Sequence, residues 1–172
     1  EPGGHAEPGG GDEPGDRDAP GVLADPGQAN PFLRYDAEFA WSAFADAHGL
    51  DATERRRLVS DLDRAVVAVA GVGFVATPFA RSASLSDALG FVDRGGVWVK
   101  DETGGVGGSQ KARHLFTILL HLRAAELLGV LSERPPLAIA SCGNAALAAA
   151  LLARAADWTI DVYVPTWMGD GF

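Results

Sequence analysis

The chain is 172 residues long, with 14 basic against 23 acidic residues, a formal net charge of −9 and a single cysteine. That length suits one domain, and the acidic balance speaks against a nucleic-acid footprint, which needs clustered Lys and Arg. One cysteine leaves no intrachain disulfide to form. No apolar run is long enough to span a membrane, and the first residues lack the basic and apolar pattern of a signal peptide. The expected compartment is therefore the cytoplasm; the chain does not begin with Met, so a removed start stays open.

Residues 1–29 are dominated by Pro, Gly, Asp and Glu, with Glu-Pro-Gly recurring at Glu1, Glu7 and Glu13. Such a stretch cannot bury enough apolar surface to order itself and is expected to be a disordered leader. The folded part is expected to run from 30 to 172. Asn30 to Tyr35 reads as an extended lead-in. Asp36 is expected to cap a helix that carries Phe39, Ala43, Phe44 and Ala47, widened by Trp41, and that ends at His48-Gly49.

A second helix is expected from Asp51 or Thr53, with Leu58, Leu62, Ala65, Val66 and Val69 as its buried stripe. Arg55, Arg56, Arg57, Asp61, Asp63 and Arg64 are then mostly turned to solvent. The three consecutive arginines invite a phosphate-binding reading, but a solvated helix face is the commoner explanation. Gly71-Val72-Gly73-Phe74-Val75-Ala76 matches the letters of a dinucleotide fingerprint. It follows a helix and runs into Thr77-Pro78, whereas the fingerprint must follow a strand and open a helix, so that reading is rejected.

Val97 to Val99 is a short β-prone run, followed by Gly104, Gly105, Gly107 and Gly108, which allow close backbone approaches. Ser109 is a good N-cap. From Gln110 to Leu128 the residues Leu115, Ile118, Leu119, Leu122 and Ala125 recur at helical spacing. Lys111 thus falls in the first turn of a helix, where the macrodipole disfavours an ammonium. A lysine there either faces water or serves as a neutral amine, and a partly buried lysine suits Schiff-base chemistry. The glycine run lacks the spacing of a P-loop, and Ala112 stands where that loop needs Ser or Thr. His114 and His121 share a helix face, but a zinc pair prefers closer spacing and a third ligand, so both are read as polar residues at an interface or cleft edge.

Leu137 to Ala140 is an apolar run, Ser141-Cys142-Gly143-Asn144 a tight polar turn, and Ala145 to Ala156 an alanine-rich helix. Ile160 to Pro165 reads as the next strand, and a strand, turn, helix, strand unit implies a parallel sheet. Cys142 has no His beside it in sequence, which disfavours covalent cysteine catalysis.

Val99-Lys100-Asp101-Glu102 followed by Gly108-Ser109-Gln110-Lys111-Ala112-Arg113 resembles the cofactor-lysine motif Ser-X-Lys-X-Arg of the fold type II pyridoxal-phosphate enzymes. That family includes threonine synthase, the serine and threonine ammonia-lyases, cysteine synthase and the tryptophan synthase β chain. Ser141-Cys142-Gly143-Asn144 resembles its Ser-X-Gly-Asn turn, and Thr77-Pro78-Phe79 with Leu85 and Leu89-Gly90 resembles its Thr-Pro-Leu segment. The resemblance covers about Asn30 to Gly169. It implies an α/β fold, the three-layer parallel-sheet architecture of that family, incomplete in this chain.

The resemblance also implies roles. Lys111 would carry pyridoxal 5'-phosphate as a Schiff base and act as base at the substrate α-carbon. Asn144 would hydrogen-bond the ring hydroxyl, and Ser141, Cys142 and Gly143 would receive the carboxylate of a small amino-acid substrate undergoing β- or γ-elimination or replacement. A homodimer is the common assembly of such relatives. Gln110 departs from the usual aromatic residue beside the lysine, the glycines before Gly108 from a more polar lead-in, and Ala145 from a hydroxyl residue. The phosphate-holding glycine loop and the residue that meets the pyridine nitrogen find no match. The expectation is therefore the amino-terminal portion of a longer enzyme; the alternative is a short non-catalytic remnant serving as a binding or regulatory module.

Overall fold

The computed structural model describes residues 29–91 and 95–169. The leader expected at 1–29 lies outside the described residues, apart from Ala29. Asn30 caps a short helix, α1 (Pro31–Arg34), its side-chain oxygen accepting from the Phe32 N–H at 2.9 Å. This corrects the extended reading: an Asn-Pro pair supplies both a cap and a pre-set first helical φ.

Asp36 does not cap the next helix. It starts a 3₁₀ turn, Asp36–Glu38, and α2 (Ala40–Ala47) begins only after Phe39. The Asp36 carboxylate accepts from the Ser42 hydroxyl at 3.1 Å and from Arg55 Nε at 3.4 Å. Trp41 and Ala45 turn to the core, whereas the expected Ala43 and Ala47 face solvent.

Helix α3 (Ala52–Ala70) starts at a reciprocal cap. Asp51 accepts from the Glu54 N–H, and Glu54 accepts from the Asp51 N–H. Leu58, Leu62 and Val66 are buried as expected, together with Val59, while Ala65 is half-buried and Val69 is exposed. Arg55 departs from the expected solvated face. It is buried, donates to Asp46 Oδ1 at 2.8 Å and to the Leu50 carbonyl at 2.9 Å, and pairs with Asp36. A buried guanidinium is tolerable only when its donors are so matched. Gly71 ends α3 in the left-handed region, φ 75°, and extended chain follows, as the rejection of a dinucleotide fingerprint requires.

Beyond α3 come β1 (Phe79–Ser82), α4 (Ala83–Ala88), β2 (Val97–Lys100), α5 (Lys111–Leu127), β3 (Leu137–Ala140), α6 (Asn144–Ala155) and β4 (Ile160–Tyr163). The unit β3-α6-β4 forms the expected parallel pair, Leu137 opposite Ile160 and Ala140 opposite Tyr163. β1 and β2 instead pair antiparallel, Phe79 opposite Lys100 and Ser82 opposite Val97. Among the described residues the architecture is therefore mixed α/β, with two separate two-stranded sheets in place of one parallel sheet between helical layers.

The core lies among α2, α3, α5 and α6, where Val59, Val66, Phe116 and Leu120 are fully buried. Phe116 meets Phe74 and Phe32 at ring separations of 4.4 and 4.8 Å, in the range where aromatic pairs attract beyond their buried area. Helix α5 is covered on two sides. Phe116, Leu120 and Ala124 are buried in addition to the expected Leu119 and Ala125, while Ile118 stays exposed. Among the described residues no helix is long and apolar enough to cross a membrane.

Candidate active site

The loop between β2 and α5 is built for close packing. Gly105 N–H bonds the Glu102 carbonyl at 3.0 Å and Gly108 N–H the Gly105 carbonyl at 2.9 Å. Between them the 3₁₀ turn Val106–Gly108 drives Val106 into the core. Gly107 and Gly108 have φ of 66° and 65°, a region that side chains disfavour.

Ser109 was expected to cap the helix that follows. The cap position belongs to Gln110, without a side-chain cap bond. Ser109 is buried, and its hydroxyl accepts from the Lys111 N–H at 3.4 Å. Lys111 is thus the first residue of α5 and is exposed. Of the two settings open to a first-turn lysine, the structure takes the one facing water.

The Asn turn has the same plan. Ser141 N–H extends the β3–β4 ladder to the Tyr163 carbonyl at 3.1 Å, Gly143 is the helix cap, and Asn144 is the first residue of α6, one position earlier than expected. Cys142, Gly143 and Asn144 are exposed. Ser141 to Asn144 form one end of a cavity of about 460 Å³ whose walls include Leu147, Ala150, Val162 and Val164. It opens beyond the carboxyl ends of the parallel strands, where α/β folds bind ligands, and its size suits a small molecule.

The structure therefore brings Ser141, Cys142, Gly143 and Asn144 together, and Lys111 does not line that cavity. The glycine loop before Lys111 does approach the helix that Asn144 begins. α5 and α6 pack together, and a Cβ added at Gly107 would lie 3.9 Å from Ala148, one turn into α6. Gly107 precedes Lys111 by four residues, and Ala148 follows Asn144 by four.

A polar network behind Lys111 escaped the sequence reading. Arg113 Nε donates to Glu102 Oε2 at 2.8 Å, and its Nη2 donates to the Val75 carbonyl at 2.8 Å and Thr77 Oγ1 at 3.3 Å. Thr77 Oγ1 donates to Glu102 Oε1 at 2.6 Å, and Lys100 Nζ donates to the Thr77 carbonyl at 2.5 Å. Burial alone would raise the Glu102 carboxyl. The hydrogen bonds from Thr77 and Arg113, with the charges of Arg113 and Lys100, outweigh that and hold it below its usual range. The signal was present in the letters, since Lys100, Glu102, Thr77 and Arg113 all belong to the quoted motifs, but their partners are distant in sequence.

His114 and His121 are exposed, and the His121 ring lies tilted against Phe44 at 4.4 Å, at the edge of the cleft between α2 and α5. Among the described residues no group of three or more His, Cys, Asp or Glu is placed to hold a metal ion.

One family model matches the chain, that of the pyridoxal-phosphate dependent enzymes, over residues 72–171. No curated protein and no solved structure matches. The matched stretch covers more than half of the chain and contains both sheets, the glycine loop, Lys111 and the Asn144 turn, and enzymes of this family bind pyridoxal 5'-phosphate. The chain belongs to the pyridoxal-phosphate dependent enzymes.

Proposed function

We propose that the chain is the amino-terminal part of an enzyme that processes a small amino acid by elimination or replacement at its β- or γ-carbon, in the manner of threonine synthase or the serine and threonine ammonia-lyases. One observation carries the reading. The family match spans both Lys111, the first residue of α5, and Asn144, the first residue of α6, and of the chain's two lysines Lys100 is engaged with the Thr77 carbonyl, which leaves Lys111 as the amine for the cofactor aldehyde.

The donor set suits the cofactor. The Lys111 amine would hold the cofactor by its aldehyde and would serve as the base for the proton at the substrate α-carbon. Asn144 offers an amide to the ring hydroxyl. The Gly143 cap has no side chain to satisfy the first N–H groups of α6, so these donors, with Ser141 and Cys142, are suited to the substrate carboxylate. The cofactor itself supplies the electron sink for charge developing at the α-carbon. Exposed apolar residues on both sheets, Phe79, Trp98 and Tyr163 among them, support further chain, or a second copy, packing there.

The test is borohydride reduction of the natively produced protein with pyridoxal phosphate, followed by intact-mass and peptide mapping. The expected result is an adduct on Lys111 that is lost in Lys111→Ala, and a weakened cofactor absorbance in Asn144→Ala with the helical signal intact. A protein that forms no adduct would be the non-catalytic remnant instead.

A further inference from the structure

Glu102 and Arg113 stand on opposite sides of the glycine loop and meet at 2.8 Å, their side chains only 14% and 24% exposed. Between them lie residues 103–112, in which the four glycines leave the backbone free to wander unless something closes it. The closure is specific. Arg113 grips Glu102, the Val75 carbonyl and Thr77 at once, and Thr77 returns a hydrogen bond to the other Glu102 oxygen. The loop also folds tightly over this carboxylate, for a Cβ at Gly105 would lie 3.2 Å from the Glu102 carbonyl and 3.5 Å from its Oε2.

Lys111 is two residues before Arg113, so whatever fixes Arg113 fixes where the amine can reach. We propose that Glu102 and Arg113 form a clamp across the glycine loop and are the positioning residues that hold Lys111 for reaction with the cofactor aldehyde. This rests on the reading of Lys111 given above. Neither residue touches the reacting atoms. Their effect is geometric, and small misplacements of a reacting group are costly in rate.

Glu102→Gln keeps the volume and removes the charge, and Arg113→Lys keeps the charge and loses the planar fork. Each variant is compared with the parent full chain in two readouts: the rate at which borohydride traps pyridoxal phosphate on Lys111, and hydrogen exchange in peptides spanning 103–110. In both variants trapping is expected to slow on the order of tenfold, with faster exchange in the loop and unchanged exchange in α3 and α6. Trapping within about twofold of the parent would overturn the clamp, and so would slower trapping with unchanged loop exchange. If one variant fails to fold, the other decides. If the parent itself forms no adduct on Lys111, the functional reading falls, and loop exchange in the variants still decides whether the clamp exists.

Discussion

The helices and the sheets of this chain treat their apolar residues in opposite ways. In the helical body Val59, Val66, Phe116 and Leu120 are fully buried, and even Arg55 is drawn inside and matched by Asp36, Asp46 and the Leu50 carbonyl. On the two sheets Phe79 is 63% exposed, Trp98 55% and Tyr163 62%. Four helices can close a core on one another, whereas a two-stranded sheet has too few partners to bury its faces or stand alone. The candidate site occupies the seam, because Lys111 and Asn144 each begin a helix that packs in the core and follows a strand with no fully buried residue.

If the helical body carries the stability, substitutions there should dominate. Phe116→Ala leaves a void beside Phe74 and Phe32 and is expected to cost about 3–5 kcal/mol; denaturant unfolding measures it, and a loss like that of a surface change would undo the comparison. Arg55→Met removes the cation from the largely shielded Asp36 carboxylate, leaving it the Ser42 hydroxyl alone, and is expected to cost about 1–3 kcal/mol. Asp51→Ala removes one half of the reciprocal cap of α3 and should cost about 1 kcal/mol, read as a modest fall in denaturation midpoint.

Much of the helical body was legible because its signals are local. The helix start at Asp51, the helical repeat of Leu58, Leu62 and Val66, and the strand-turn-helix-strand order of β3-α6-β4 are each written in consecutive stretches of sequence. The misreadings were non-local or too short to show a period. Arg55 was assigned to solvent because its partners Asp36 and Asp46 sit on other elements. Four-residue β1, exposed over most of its length, has no alternation to detect, and its antiparallel pairing depends on β2, many residues later. In the site, Lys111 and Asn144 were visible as motif residues. The clamp joins Thr77 to Glu102 across 25 positions and to Arg113 across 36, and only the fold reveals it.

Acid sharpens the comparison, because two shifted carboxylates tie loops to the helical body. Glu102 lies in the loop after β2, and Glu126, in the last turn of α5, accepts from Arg134 in the loop that follows. Glu102 is held below its usual 4.5 against the opposing effect of burial. Glu126 is held low first by its hydrogen bond from Arg134, against burial, and further by the charges of Arg123 and Arg134. A carboxyl lowered by folding adds stability that is complete above its unfolded value and disappears as pH falls through the folded one. Below about pH 4.5, hydrogen exchange corrected for intrinsic rates should rise first in 103–110 and 132–136, with α3 retained. Simultaneous loss of α3 would place these pairs within the core's own cooperative unit.

The smallest effect on stability is expected where apolar exposure is greatest. Trp167 follows β4 and is 79% exposed, so it has little burial to lose. Trp167→Ser should therefore change the unfolding free energy by no more than about 0.5 kcal/mol. Its effect should appear in association, since a large apolar side chain beside the exposed Val164 and Tyr163 extends a surface that favours contact with other molecules. Sedimentation at increasing concentration measures this directly. Less self-association with an unchanged unfolding midpoint would mean that the apolar stretch following β4 is an adhesive surface separate from the stabilising core. A lowered midpoint would instead show that this stretch belongs to the same cooperative unit as Phe116, and the contrast between the two regions would then be one of exposure alone.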